Sequence, residues 1–294
     1  TVILETLATE CERAKKLPFK DWAFQFLKIR TVKGKIVPLA LNIVQQAIDD
    51  EWEFQLKDRG YVAIQVLKAR KMGVSTYVQG KMYRAVLENE GWHASIMAHE
   101  DGSCRLIFER TQKFAELLPD AMKRTKVRNN AKEIAYAPPH DSWLKVNVAK
   151  AMGGFGRGGD YHMNHFSETS KWPEIRGQII AEGQAAAIIN SMPEGVFGTA
   201  VLDESTANGK DNQFYRDWQA SQPHQGSRYG KNGVRAMFFP WFVFPSYRLV
   251  GKRPAEYWAG NKDEWAQQEP MLRKMGCDDE QLAWERLRRK QREQ

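Results

Sequence analysis

The sequence predicts an α/β fold, a mostly parallel sheet sandwiched by helices. Three observations carry this. Strand-like apolar runs alternate with helix-length segments from Tyr61 to Phe239, the pattern of a parallel sheet with crossover helices. The first run turns into its helix through a basic, glycine-containing stretch, Leu67-Lys-Ala-Arg-Lys-Met-Gly-Val-Ser-Thr76, at the place where a phosphate-gripping loop belongs. Two later runs, ending at Phe166-Ser-Glu168 and at Val201-Leu-Asp-Glu-Ser-Thr-Ala-Asn-Gly209, deliver a carboxylate and a set of small hydrogen-bonding side chains.

Size and charge bound the rest. The chain has 294 residues, enough for one large or two ordinary domains, and 42% hydrophobic residues with 10 tryptophans can fill a core. No apolar run approaches the ~18 residues of a membrane span, and the first residues lack the basic-then-apolar pattern of a secretion signal. The three cysteines, Cys11, Cys104 and Cys277, are isolated, which fits neither a disulfide framework nor a zinc site. A net charge of +8 favours a polyanionic partner such as nucleic acid. A merely solvated basic surface is the alternative.

Taken in order, residues 1–35 read as an amphipathic helical lead-in. Asn42 is a plausible N-cap for a helix to about Leu56. Tyr61–Leu67 is a buried-type strand and Ser75–Glu88 a helix. Ala94–Ala98 is a strand, followed by a helix from about Asp101 to Leu117 that Pro119 ends. Glu133–Ala137 and Trp143–Val148 are short strands flanking the turn Pro138-Pro-His-Asp141. Tyr161–Phe166 is a strand, Glu174–Asn190 a helix, Thr199–Leu202 a strand, Asp211–Ala220 a helix and Val234–Phe239 a last strand. After Pro245 the texture becomes polar and helix-prone, and Asp278 with Gln281 forms a capping-box spacing ahead of a basic final helix. The expected division is 1–245 and 246–294.

The phosphate loop departs from the usual G-x-x-x-x-G-K-[ST]. With Gly73 and Ser75 aligned to its last glycine and hydroxyl, the lysine position is Val74 and the first-glycine position is Lys68. The cation has moved to the other side of the loop. Lys68, Arg70 or Lys71 would supply the charge, and Ser75, with Thr76 as a fallback, would take Mg²⁺. A basic turn entering a helix is the bland alternative. An NTPase also needs a group that orients the attacking water. Glu168 fits this, with Ser167 standing where an Asp usually holds Mg²⁺ through water; Asp160 and Asp203 could help electrostatically. His162 and His165, three apart on a strand, point to opposite faces and read as structural rather than as a metal pair.

Gly153-Gly-Phe-Gly-Arg-Gly-Gly159 contains a formal G-x-G-x-x-G but precedes a strand, so the dinucleotide reading fails its context. A mobile loop presenting Arg157 is the better reading, with a plain flexible loop as the alternative. The run Lys123, Arg124, Lys126 and Arg128 is a candidate for gripping phosphates, or else a solvated turn.

The ordered set of motifs resembles the large subunit of tailed-bacteriophage terminases. It comprises Asn42 to Gln45, the shifted phosphate loop, Phe166-Ser-Glu168 with Trp172-Pro173, Ser205-Thr-Ala-Asn-Gly209 with Phe214-Tyr215 and Trp218, Trp241-Phe with Tyr247-Arg248, and Asp279-Glu-Gln-Leu-Ala-Trp284. The resemblance implies a P-loop NTPase of the ASCE type with a small C-terminal helical lid subdomain. It implies ATP and Mg²⁺ as cofactors and an ATPase motor that moves double-stranded DNA into a procapsid. By motif position Gln45 would contact adenine, and Lys68, Arg70, Lys71, Gly73, Ser75 and Thr76 would bind phosphates. Ser75 and Ser167 would hold Mg²⁺, Glu168 would be catalytic, and Ser205, Thr206 and Asn208 would couple hydrolysis to movement. Arg157 would act as an arginine finger from a neighbouring subunit. The implied partners are the portal protein, the small terminase subunit and further copies in a pentameric ring, in the host cytoplasm and without a membrane. Such subunits carry a nuclease domain as well, which is not expected within this chain. A helicase-like DNA remodeller and a catalytically inactive DNA-binding scaffold are the alternatives.

Overall fold

The structure is a computed structural model that describes residues 12–31, 33–149, 160–172, 174–175, 178–179, 189–190, 192–257 and 262–293. The chain divides into two compact units, residues 1–238 and 239–294. The break falls a little before Pro245 because Trp241 and Phe242 pack with Leu272, Cys277 and Leu282 of the second unit.

The first unit is built on an eight-stranded sheet. In chain order its strands are β3 (Val62–Lys68), β4 (His93–Ala98), β5 (Lys126–Asn129), β6 (Glu133–Tyr136), β7 (Trp143–Val148), β8 (Met163–Ser167), β11 (Ala200–Ser205) and β12 (Arg235–Phe239). Their spatial order is β12-β3-β11-β8-β4-β7-β6-β5. The five strands β3, β11, β8, β4 and β7 run parallel, and β6 and β5 continue antiparallel at the edge. One face of the sheet is apolar and buried, with Val62, Ile64, Val66, Ile96, Leu144, Val146 and Leu202 in register; the other face sets Met97 and Phe166 beside the buried polar Gln65, Ser95 and Asn164.

Helices α2 (Ile43–Arg59), α3 (Val74–Glu88), α4 (Asp101–Leu117) and α5 (Gln213–Ala220) are the crossovers and covers. Asn42 caps α2 as expected. Its side chain accepts from the N–H groups of Val44 and Gln45, and Gln45 reaches back to the Asn42 N–H, closing a capping box. The last carbonyls of α3 are met from outside the helix: Arg124 donates to Leu87 O at 2.6 Å, and Ser142 to Val86 O.

Four expectations change. The lead-in of residues 1–35 is not wholly helical: α1 (Phe19–Phe26) is followed by an antiparallel hairpin of β1 (Lys28–Arg30) and β2 (Ile36–Pro38), which turns at Gly34 with φ +81°. β-branched residues and a glycine turn outweigh helical periodicity there. The basic run after Pro119 is not a solvated turn. Lys126–Asn129 forms the outer edge strand against β6. The segment expected to be helical over Glu174–Asn190 begins instead as two short paired strands, β9 (Glu174–Ile175) and β10 (Gln178–Ile179), and residues 180–188 lie outside the described residues. The strand expected to end at Leu202 runs on to Ser205, because its polar residues hydrogen-bond to neighbouring strands instead of turning into a loop.

In the second unit, α6 (Lys262–Lys274) and α7 (Asp279–Glu293) form a helical pair. The Asp278–Gln281 capping box is present, with bonds of 3.0 and 2.9 Å in the two directions. Trp241 stacks on Trp284 at 5.1 Å.

Candidate nucleotide site

Three neighbouring strands, β3, β11 and β8, end side by side, and each places a charged or hydroxyl group at its carboxyl end. In open α/β sheets this is where ligands bind. In register, Glu204 of β11 lies opposite Ser167 of β8 and Val66 of β3. β11 therefore separates the phosphate-loop strand from the carboxylate strand.

The phosphate loop leaves β3 at Lys68 and enters α3 at Val74. Lys71 and Gly73 take positive φ of 59° and 78°, and the helix starts at Gly73 without a side-chain cap. The N–H groups of the first turn are thus open to an anion. Gly73 is required twice over. Its φ is left-handed, and a Cβ there would lie 2.7 Å from Gln45 Nε2. Gln45 Nε2 donates to Gly73 O at 2.8 Å and Asn42 Nδ2 to Met72 O at 3.1 Å, so the cap of α2 also braces the loop from beneath. Val74 and Met72 are buried in the core, whereas Arg70 and Lys71 are exposed. A lysine at position 74 would face apolar packing. Ser75 and Thr76 are half-buried on the first helical turn.

Lys68 is only 7% exposed and bridges two carboxylates, Glu168 Oε1 at 3.0 Å and Glu204 Oε2 at 2.9 Å. Burial pushes its ammonium down, but Glu204 and Glu168 outweigh burial and hold it above the ordinary lysine value. Glu168 follows β8 in the left-handed region, with φ 54° and ψ 44°. A non-glycine residue held there is strained, and such strain clusters at functional sites. Its carboxylate also takes Lys171 Nζ at 2.7 Å and Thr206 Oγ1 at 3.0 Å. Burial and the charge of Glu204 push Glu168 up, yet Lys68 and the hydrogen bonds of Lys171 and Lys68 leave it below the ordinary carboxylate value.

The three coupling candidates converge on the turn Thr169–Lys171 that follows Glu168. Ser205 Oγ donates to Ser170 Oγ at 2.7 Å, Ser170 Oγ to Thr206 O at 2.8 Å, and Asn208 Nδ2 to Ser170 O at 2.8 Å. Thr206 touches Glu168 directly. Any shift of Glu168 is therefore felt by the end of β11.

Glu204 was missed by motif reading. It is fully buried, and one of its oxygens, Oε1, accepts from Ser75 Oγ at 2.7 Å and Ser167 Oγ at 2.9 Å. Burial would raise its carboxyl, but Lys68 and His165 hold it far below the ordinary value, so it is ionised. The available signal was the alternation Ala200, Leu202, Glu204 on one face of the strand. Lys171 was missed as well. Asp203, expected to help electrostatically, points to the opposite face. It accepts from Gln65 Nε2 at 2.9 Å and Thr169 Oγ1 at 2.5 Å, beside a cavity of about 140 Å³, and burial raises it to about 7. Asp160 is exposed at the start of its segment, and its carbonyl lies 3.0 Å from His93 Nδ1. His162 stacks on Trp92, whereas His165 faces Glu204, so the two histidines do point apart. Arg157 and its glycine-rich stretch lie outside the described residues.

The residues fit a magnesium ion. Hydroxyls and an ionised carboxylate are the hard oxygen donors it takes, and Ser75, Ser167 and Glu204 gather them within hydrogen-bond distance beside the phosphate loop.

Structural comparison gives the fold a parallel. The large terminase of bacteriophage HK97 superposes with a TM-score of 0.56 at 15% sequence identity, covering 89% of this chain and 52% of that one. The fold is that of a terminase ATPase domain. The ATPase domain of the Thermus phage P74-26 large terminase matches with a TM-score of 0.46 at 15% identity over 83% of this chain and 91% of its own. The large terminase of a further, thermophilic bacteriophage matches with 0.43 at 7% identity over 60% of this chain and 40% of that one. The chain spans about half the length of the HK97 protein. No protein-family model and no curated protein matches the sequence.

Proposed function

We propose that this chain is a magnesium-dependent ATPase and that it drives double-stranded DNA into a procapsid as the motor part of a terminase large subunit. The observation that carries the reading is the meeting of Lys68, Ser75, Glu168 and Thr206 at the ends of three adjacent strands. The HK97 likeness in fold supports it.

ATP would lie with its phosphates on the N–H groups of the loop Lys68–Ser75 and the first turn of α3. A magnesium ion would supply positive charge against that of the phosphates. Ser75 would hold that ion directly and Ser167 only indirectly, and Lys68 would supply the cation that Val74 cannot. Arg70 and Lys71, both exposed, are the further candidates for phosphate contact, with Thr76 behind Ser75. Gln45, expected on the adenine side, is instead buried with its amide spent on the Asn42 N–H and Gly73 O, so contact with the base would require it to give up one of these bonds. Glu168, kept ionised by Lys68 and Lys171, would accept a hydrogen bond from the attacking water and align it. Loss of the γ-phosphate would then be relayed through Thr206 to Ser205, Ser170 and Asn208. Arg157 stays a sequence-based proposal for a finger from a neighbouring subunit. The pentameric ring, the portal and small-subunit partners, the lid role of residues 246–294, the nuclease half elsewhere in the parent protein and the host-cytoplasm setting rest on the same resemblance.

Single-turnover ATP hydrolysis tests this. Glu168→Ala should lower the rate about 10²–10⁴-fold while leaving binding of a non-hydrolysable ATP analogue intact. An unchanged rate would remove Glu168 from catalysis, and no hydrolysis by the unaltered protein would leave the scaffold reading. Strand separation of a forked duplex would instead favour a helicase-like remodeller.

A further inference from the structure

We propose that Glu204, not Ser167, supplies the carboxylate of the magnesium site, so that the acidic group has moved one strand across the sheet. The inference deepens the ATPase reading and rests on it.

In P-loop NTPases the metal is held by the hydroxyl that opens the helix and by an aspartate at the end of a neighbouring strand. Here that strand, β8, ends in Ser167, whose hydroxyl has no charge to offer. Glu204 sits on the strand between β8 and the phosphate-loop strand, in register with Ser167. Its longer side chain brings Oε1 to 2.7 Å from Ser75 Oγ, the very hydroxyl expected to hold the metal. Ser167 Oγ donates to the same oxygen at 2.9 Å. Ser167 is thus a support for the carboxylate rather than a substitute for it. A glutamate fits this place where an aspartate would fall short.

A second observation points to a ligand. His165 is fully buried, and its Nε2 lies 3.5 Å from Glu204 Oε1, yet neither ring nitrogen has a hydrogen-bond partner among the described residues. Glu204 Oε2 is met by Lys68 at 2.9 Å, so the exception is the imidazole. Buried polar atoms in folded proteins are nearly always satisfied, and an unpartnered buried ring beside an ionised carboxylate is unusual. A buried ionised carboxylate is costly to keep for packing alone.

The test is the binding of Mn²⁺ by electron paramagnetic resonance, on the full chain, in the presence of the β,γ-imido analogue of ATP. Binding of the fluorescent analogue in EDTA serves as the metal-free control. Glu204→Gln should weaken Mn²⁺ about 10–100-fold and leave nucleotide binding in EDTA within twofold, roughly its own error in such titrations. The double variant Glu204→Gln/Ser167→Asp should regain Mn²⁺ affinity, because it returns a carboxylate to β8. Unchanged Mn²⁺ affinity in Glu204→Gln, or loss that Ser167→Asp cannot restore, would overturn the proposal. If Glu204→Gln does not fold, Glu204→Asp, one methylene shorter, is read in its place and should weaken Mn²⁺ in the same direction; unchanged affinity overturns the proposal there too. Failure of the unaltered chain to bind the analogue at all would instead remove the ATPase reading itself.

Discussion

Lys68 and Lys71 differ by three positions and by almost everything physical. Lys68 is buried between Glu168 and Glu204, and Lys71 is exposed on the loop. Removing Lys68 leaves the fully buried Glu204 without its cation, beside a half-buried Glu168 that keeps Lys171, a loss of about 3–5 kcal/mol when a buried pair is broken this way. Removing Lys71 should cost no more than about 0.5 kcal/mol, as for surface changes in general. Lys68→Ala should therefore nearly abolish ATP turnover and lower the melting temperature, whereas Lys71→Ala should do neither; equal, near-normal turnover in both would remove the relocated cation. Asp203 carries a different consequence. Its carboxyl is raised to about 7 in the folded chain from an ordinary 3.8, with burial as the first cause. The folded state then binds the extra proton between those values, so this group's contribution to stability falls as pH rises from about 4 to 7 and is fully lost above 7. Asp203→Asn, which keeps the shape and needs no proton, should raise the melting temperature more at pH 8 than at pH 5. Equal gains at both values would show that Asp203 is not protonated in the folded chain.

At the scale of the element, the loop between β3 and α3 is held by the N-terminus of α2, through Asn42 and Gln45. Gly73→Ala would force a Cβ to within 2.7 Å of Gln45 Nε2 at a φ of +78°. It should cost about 1–3 kcal/mol and weaken binding of a non-hydrolysable ATP analogue, while Gly91→Ala, also at positive φ but in open space, should cost stability without touching nucleotide affinity. Calorimetric melting and nucleotide titration separate the two. The loop, the Asn42 cap, the Asp278–Gln281 cap and the alternation of β3, α3, β4 and α4 were readable in the sequence because each is a local signal. Glu204 was not, because its partners Ser75 and Ser167 lie 129 and 37 residues away and meet it only through strand order. The edge strand β5 was hidden for a related reason. Its residues are basic and exposed, and only pairing with β6 makes them a strand. The start of the expected Glu174–Asn190 helix failed on short-range pairing between Glu174–Ile175 and Gln178–Ile179, which a helical period does not reveal.

At the scale of the whole molecule, a net charge of +8 suits a partner that presents phosphates, and the edge hairpin bears on where. Its cations are not equivalent. Arg124 donates to Leu87 O and so closes the end of α3. Lys123 and Arg128 pair with Asp120 and Glu133 at 2.7 and 3.0 Å, but both cations are exposed, and pairs at the surface cost little to exchange for phosphate. Lys126, half-buried on the strand, has no ion pair among the described residues. If duplex DNA is gripped here, log affinity should fall linearly with log salt, and each lost phosphate contact should reduce that slope by about 1. Lys123→Ala, Lys126→Ala and Arg128→Ala should each do so with little change in melting temperature. Arg124→Ala should do the reverse, leaving the slope unchanged and costing about 1.5–3 kcal/mol, the usual worth of a hydrogen bond to a charged group. Filter binding across a salt series with thermal melting of the same four variants decides it. Four unchanged slopes would move the DNA contact away from this edge of the sheet, while a lowered slope in Arg124→Ala alone would mean that its bond to Leu87 opens when DNA arrives.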